Sequence, residues 1–436
     1  MQSHASIILK EVKKIKIQTI ILALTLIFTI MLCGSAAAAN GTWHNETVDN
    51  SSNSIGEYTS LALDNFDNPH ISYYDDTNGN LMYASKNGTN WTTEIVDSTG
   101  NVGEYTSLAL DNSGNPHISY YDSTNTALKY ARWNGIAWIL TTVDNSAAVG
   151  QYTSLALDIS GNPHISYYDV GNGNLKYARW NGTAWIIETV DGNQPTNPNV
   201  GRFSSLSLDG AGNPHIAYYD DTNHALKYAS NTGSGWTLET VDNENDAGWD
   251  TSLALDYAGN PHISYKRANS GHVRYASKTG GVWTTELVDI SGGVGVFTSL
   301  AFDNAGNPYI SYYGYPGRSL AVSSKNRGIW GKQVLDVAIT GYYSSLVIDN
   351  AGNIHLSYVA VAGSSYYLKY ANFILDPVIS NDSVNSSENL TSSRVNAATS
   401  TVKTNTIGMQ ETGLPLPLMV LALLMVLSGL IIPKKK

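Results

Sequence analysis

The tripeptide Asn-Pro-His, or a close variant of it, recurs through the middle of this 436-residue chain and constrains its fold more than any other feature. The third position falls at His70, His117, His164, His215, His262, Tyr309 and His355, with gaps of 47, 47, 51, 47, 47 and 46 residues. A near-constant period of this size means that one small structural unit is repeated, each copy burying its apolar surface on its neighbours. Composition indicates what the unit is made of. Only 14% of the residues are charged, Gly occurs 39 times and Tyr 28 times, a mixture that suits short strands and tight turns rather than long helices.

The copy at 152–191 shows its parts plainly. YTSLALD (152–158), PHISYYD (163–169), LKYARW (175–180) and WIIETVD (185–191) are β-type runs, separated by turn segments such as ISGN (159–162) and NGTA (181–184). In the Asp-x-x-Gly-Asn turn after the first run, Asp bonds backbone N–H groups and Gly supplies a positive φ. Pro at the head of the second run gives up a donor where a strand begins, and the loss there is small. In the first run, Leu61 and Leu63 point to one face and Ser60 and Ala62 to the other. Bulky faces then nest on small ones, and both faces of each sheet are buried.

The ends of the array indicate how it closes. GTWHNETVD (41–49), ahead of the first complete unit, matches the fourth run, whereas the seventh unit stops after its third run. The fourth-run tryptophan therefore appears seven times, at Trp43, Trp91, Trp138, Trp185, Trp236, Trp283 and Trp330, but one unit early. A closed ring explains the displacement, because an open stack would leave two unpaired edges needing polar caps. The sequence thus predicts an all-β, seven-bladed β-propeller of four-stranded blades over residues 40–373, with the N-terminal strand closing the last blade. The Asp-x-x-Gly-Asn turn and the alternating strand after it resemble NHL, SMP-30-like and two-component-regulator propeller repeats, and more loosely the Asp box of sialidase propellers. That resemblance covers about residues 41–373 and implies the propeller fold. The Asp box proper is not matched, since two residues separate Asp from Gly and the closing Trp is missing.

Both flanks read as membrane-directed. Lys10, Lys13, Lys14 and Lys16 precede the apolar run 17–33 and the small-residue segment GSAAAAN, so residues 1–39 are expected to be a secretory signal peptide. Residues 374–413 are rich in Ser, Thr and Asn, lack apolar periodicity and read as a stalk. Residues 414–432 carry no charge and are long enough to span a bilayer, and 433–436 form a basic tail that stays cytoplasmic. The ETGLP segment, apolar run and basic tail resemble the C-terminal signals read by sortases and archaeosortases, which implies a prokaryotic, in the second case archaeal, cell surface. Neither the LPxTG order nor a PGF tripeptide is present. The expected location is the outer face of the envelope, anchored through the membrane by the C-terminal segment. Asn87, Asn181, Asn381, Asn385 and Asn389 lie in Asn-x-Ser/Thr sequons and are candidate glycosylation sites.

Charge and cysteine content exclude whole classes of function. The formal charge is −11, and seven lysines sit at the two ends, so the repeat region is more acidic still. Such a surface repels nucleic acid. The single cysteine, Cys33, belongs to the signal segment, which leaves no disulfide, zinc-thiolate site or cysteine nucleophile. The histidines recur once per blade and read as turn-fixing groups, on separate blades and too far apart for a shared metal.

The loops between second and third strands share one face of the ring with those that link blades, and they differ from blade to blade. Loops carry function when the scaffold repeats. Blades one to four offer Tyr74-Asp75, Tyr121-Asp122, Tyr168-Asp169 and Tyr219-Asp220, which suit stacking on a sugar. Blades five to seven, with Lys266, Arg267, Tyr315 and Arg318, offer one unique patch suited to a protein partner. The aspartates ending the second and fourth strands form an acidic rim that suits either turn-capping or Ca²⁺, the one cofactor the sequence leaves open. No catalytic constellation and no transition-metal site is legible. The expected function is binding or adhesion, with an envelope glycan or surface protein as ligand. The alternatives are a secreted carbohydrate-active enzyme (sialidase-like, or another glycosidase or lyase) and a purely structural envelope component.

Overall fold

The computed structural model describes residues 41–51, 54–192, 198–289, 295–314, 318–336 and 340–375. These form seven four-stranded antiparallel sheets arranged as the blades of a ring. Blade one runs outward from the axis through Ile55–Leu63, Pro69–Asp75, Asn80–Asn87 and Asn90–Asp97. Blade seven combines Thr340–Ile348, Ile354–Ala362 and Ser365–Leu375 with the N-terminal strand Gly41–Asp49. That strand pairs from Gly41 against Leu375 to Asp49 against Leu368, so the displaced tryptophan pattern reports a closed seven-bladed propeller. Among the described residues no helix is long and apolar enough to cross a membrane. Ile374 and Leu375, expected to open the stalk, instead extend the last strand, where they pair with Thr42 and Gly41; the expected signal peptide, the rest of the stalk, the apolar span, and Asn381, Asn385 and Asn389 lie outside the described residues.

The innermost strands begin earlier than the alternation suggests. In blade three the strand is Val149–Leu157, not 152–158, and its pairing with the next strand slips on both sides of Gln151. Gly150 at φ 109° and Tyr152 at φ 53° produce the bulge. Glycine is required there because a Cβ would stand 2.7 Å from the Leu128 Cα of the preceding blade.

Three sets of contacts join the blades. Nearest the axis, the Ser60 Oγ accepts the backbone N–H of Leu108 at 3.0 Å. Ser107, Ser154, Ser205, Ser252 and Ser299 repeat this with Leu155, Leu206, Leu253, Leu300 and Leu346. Ser345 returns to Leu61 and completes the circle. The small residues opposite the leucines therefore do more than make room.

At mid-blade, a buried tyrosine hydroxyl reaches the aspartate that ends the preceding blade. Tyr73 donates to Asp49 at 2.7 Å, Tyr120 to Asp97 at 2.8 Å, Tyr167 to Asp144 at 2.7 Å and Tyr218 to Asp191 at 2.6 Å. Tyr265–Asp242 and Tyr312–Asp289 continue the series. A cation joins most of these pairs: Lys129 at Asp97, Lys176 at Asp144, Lys227 at Asp191, Arg267 at Asp242 and Lys332 at Asp289. Blade one carries Met82 where blade two has Lys129.

At the outer rim, the fourth-strand tryptophan donates its indole N–H to a glutamate of the preceding blade. The pairs are Trp91–Glu46, Trp138–Glu94, Trp236–Glu188, Trp283–Glu239 and Trp330–Glu286, at 2.8–3.2 Å. Lys86, Lys278 and Lys325 add ion pairs to three of those glutamates.

The histidines complete six of the blades internally, blade six carrying Tyr309 instead. His70 bonds the Tyr83 hydroxyl through Nδ1, while its Nε2 faces Asp64 at 3.7 Å. Asp64 in turn accepts the N–H groups of Phe66 and Asn68.

Candidate functional site

The bulge in each innermost strand puts one residue per blade against the axis. Tyr58, Tyr105, Tyr152, Phe203, Asp250, Phe297 and Tyr343 line a central cavity of about 200 Å³. All seven have φ between 51° and 58°, a left-handed conformation that bulky side chains rarely adopt and that costs about 1 kcal/mol or more per residue. Six of the seven are aromatic, and adjacent rings lie close. Tyr58 is 4.5 Å from Tyr105 and 4.8 Å from Tyr343, Tyr105 is 4.6 Å from Tyr152, and Phe297 is 4.3 Å from Tyr343. The collar is broken between Phe203 and Phe297, where Asp250 stands.

Polar groups crowd this collar on the side of the inter-blade loops. Glu57, Glu104, Gln151 and Arg202 precede the aromatic in blades one to four, and Trp249 precedes Asp250. Burial pushes the Glu57 carboxyl up to about 7, helped by the negative charges of Asp76 and Glu104; a hydrogen bond from Tyr343 opposes the rise. Glu104 is raised for the same first reason. Asp250 is raised to about 6 by burial, against the opposing pull of Lys266 and of the Phe297 N–H. Arg202 pairs with Asp221 at 3.5 Å. The Glu57–Glu104 arc of the mouth is therefore acidic with both carboxyls raised, while Arg202 and Lys266 stand on the side of Asp250.

The residues expected from the sequence are distributed around this mouth unevenly. Tyr74, Tyr121, Tyr168 and Tyr219 are buried, each opposite Glu57, Glu104, Gln151 or Arg202 in strand register. Their rings stand 6.2–6.4 Å behind the collar. Tyr74 donates to Asn101 at 2.5 Å and Tyr219 to Asp246 at 2.6 Å. Asp75, Asp122, Asp169 and Asp220 are 2–3% exposed and accept from Asn78, Asn125, Asn172 and Asn223 of their own turns. Among the described residues, neither these aspartates nor Asp49, Asp97, Asp144, Asp191, Asp242 and Asp289 at the ends of outer strands form a rim of open carboxylates. Turn closure and blade joining engage them instead.

Among the described residues no group of three or more His, Cys, Asp or Glu is placed to hold a metal ion. Lys266 is half-buried and faces Asp250, whereas Arg267 is buried in a two-point pair with Asp242. Arg318 is exposed at φ 48°, and Tyr315 lies outside the described residues. Asn87 and Asn181 are exposed in the turns between third and outer strands.

The collar itself escaped the sequence reading. Its one legible signal is in blade five, where Gly-Trp-Asp-Thr (248–251) replaces the aromatic that every other blade carries at that position.

No family model and no curated protein matches this chain. Among solved structures, a protein of unknown function from Dyadobacter fermentans superposes with a TM-score of 0.51 at 11% identity, covering 78% of this chain and all of that one. This likeness establishes a shared fold. The polysaccharide lyase Uly1 gives 0.48 at 11% identity over 78% of this chain and 93% of its own. A mutant of AofleA from Arthrobotrys oligospora gives 0.46 at 13% identity over 70% and 92%. Likenesses of that size carry no argument about activity.

Proposed function

We propose that this propeller is a non-catalytic binding module of the outer cell surface and that it seats a glycan at the loop-side mouth of its channel. The observation that carries this reading is the aromatic collar with its single acidic gap. Aromatic faces take the C–H face of a sugar ring, while Glu57, Asp250, Arg202 and Lys266 offer donors and acceptors to its hydroxyls. Seven strained residues around one cavity also fit a built site, because strain persists only where the surroundings enforce it. The export and anchoring segments expected from the sequence support a position outside the cell, where an envelope polymer is the natural ligand.

The test is binding of the full chain to an array of envelope glycans, compared with the Asp250→Tyr variant. That substitution closes the collar with an aromatic, as the six other blades do, and with the tyrosine that four of them carry. Glycan binding by the parent, lost in the variant at an unchanged melting temperature, supports the proposal. Equal binding by both refutes the channel as the site.

A second reading, a carbohydrate-active enzyme, is favoured by Glu57 and Asp250, two carboxyl groups raised towards neutrality beside a cavity. Turnover of a bound glycan by the parent, abolished in Glu57→Gln, would place this reading first.

A further inference from the structure

The rim contacts between blades are not all alike, and one groove lacks its central group. The position that pairs in register with the third-strand tyrosine or its equivalent is Glu46, Glu94, Glu188, Glu239 or Glu286 in five blades and Gln333 in a sixth. In blade two it is Thr141, opposite Tyr130. A cavity of about 430 Å³ opens at this place, lined by His117, Tyr130, Arg132, Thr141, Trp180 and Trp185 among others. That volume is within the range of small-molecule sites, about 300–1,000 Å³.

The two adjacent grooves show what is missing. Between blades three and four, Glu188 accepts the Trp236 indole N–H at 2.9 Å and faces Arg179 of its own blade at 3.8 Å. Arg132 and Trp185 are the equivalents of Arg179 and Trp236 one blade earlier. Among the described residues Arg132 has no ion pair and the Trp185 N–H has no acceptor. Between blades one and two, the tryptophan corner Trp133–Trp138 (5.6 Å, 64°) is closed by Glu94. The matching corner Trp180–Trp185 (5.7 Å, 65°) faces Thr141 and stays open. One groove thus combines the arginine and the tryptophan pair without the carboxylate that satisfies them elsewhere.

We propose that the groove between blades two and three binds an acidic sugar, a pyranose unit carrying a carboxylate. Its carboxylate takes the position that Glu188 occupies in the next groove, accepting from the Trp185 Nε1–H and from the Arg132 guanidinium. Charge-assisted hydrogen bonds of this kind are the strong ones. The ring's C–H face lies on the Trp180 indole, and its hydroxyls reach Thr141 and His117. A lone carboxylate or a short acidic side chain would leave most of the 430 Å³ unfilled; a sugar acid occupies a much larger share and leaves room for the unit that follows it in a chain. The proposal rests on the glycan-binding reading above but concerns a different part of the ring.

Isothermal titration calorimetry of the full chain with methyl glucuronide, and with methyl glucoside as the neutral control, tests it. The uronide is expected to bind at least about tenfold more tightly, the value of roughly one charge-assisted hydrogen bond. Thr141→Glu restores the internal carboxylate present in five sister blades, so the variant folds, melts no lower than the parent and loses the uronide. Arg132→Ala weakens uronide binding and leaves the glucoside unchanged. Equal affinity for the two glycosides overturns the proposal, as does undiminished uronide binding by Thr141→Glu. A chain that binds neutral glycans on the array but not the uronide overturns this inference alone. Uronide binding lost in Thr141→Glu and kept in Asp250→Tyr supports the groove whatever happens at the channel.

Discussion

The junction that closes the ring is the only mid-blade junction on the described residues where an aspartate is held without a cation, and the imbalance can be measured. Asp49 is 6% exposed and, among the described residues, accepts only the Tyr73 hydroxyl at 2.7 Å and the Ser51 N–H at 2.9 Å. Asp97, one blade on, accepts the Tyr120 hydroxyl, the Thr99 N–H and the Lys129 ammonium. Removing one partner of a buried charged acceptor costs about 1.5–3 kcal/mol when little else satisfies it, and nearer 1 kcal/mol when other donors remain. Tyr73→Phe is therefore expected to cost about 2–3 kcal/mol and Tyr120→Phe about 1 kcal/mol, although both delete the same hydroxyl. The converse change is Met82→Lys. It places an ammonium where Lys129 sits, able to reach Asp49 and to lie over the Tyr73 ring as Lys129 lies 5.5 Å from the Tyr120 ring centre. Its expected effect is stabilisation, and in a Met82→Lys background the cost of Tyr73→Phe should fall to that of Tyr120→Phe. Urea unfolding followed by tryptophan fluorescence measures the parent and the four variants. Equal losses for the two tyrosine variants, or destabilisation by Met82→Lys, would refute the argument that the closing junction is short of a cation.

Three further outcomes are expected. His70, His117, His164, His215, His262 and His355 all have pKa values lowered by burial. The unfolded chain then takes up these protons first, so the stability they confer is complete above about pH 6.5 and is lost as pH falls below it. Each proton contributes up to about 1.4 kcal/mol per pH unit, and the urea midpoint should fall as pH drops below about 6.5; a flat profile there would contradict it. Asp250 has the opposite sign: with its carboxyl raised to about 6 by burial, stability falls as pH rises from about 4 to about 6, and the loss is complete above that. Asp250→Asn should accordingly stabilise more at pH 8 than at pH 5, by on the order of 1–2 kcal/mol, read from urea midpoints at the two pH values. Gly103→Ala would put a Cβ 2.8 Å from the Leu81 Cα at φ 113°, whereas at Gly135, φ 91°, nothing lies within 4 Å. Gly103→Ala should fail to fold or lose more than about 2 kcal/mol and Gly135→Ala about 1 kcal/mol, compared by thermal melting.

Much of the architecture was legible because the repeat supplies seven readings of one unit. The early tryptophan at Trp43 gave away the closing strand, and the turn aspartates and histidines took the local roles their spacing suggests. What was hidden follows from burial on both faces of a blade. Alternation then carries no inside-or-outside signal, and Tyr74-Asp75 and its equivalents looked like presented side chains when they are buried ones. The collar was hidden for a related reason. Tyr58-Thr59-Ser60-Leu61 reads as an ordinary alternating strand, and only the bulge after Gly56 turns Tyr58 towards the axis. Ser60 likewise read as a small packing residue because a hydroxyl's partner on another blade leaves no local trace. The groove between blades two and three was visible in principle, as Thr141 among glutamates, but its meaning required Arg132 and Trp185 to be brought side by side.

The pairing of Gly41–Asp49 with Ser365–Leu375 also sets an order of events. The earliest of the described strands to be synthesised cannot find its seat until the latest has been made, and over 300 residues separate the two. Contacts that distant in sequence form slowly, because chain entropy must be lost before they return anything. Blades one to six can assemble from neighbours within their own stretch, leaving a broken circle with one unfinished sheet. Whatever holds the emerging chain until that moment must keep a tryptophan-bearing edge from pairing with another molecule's incomplete blade.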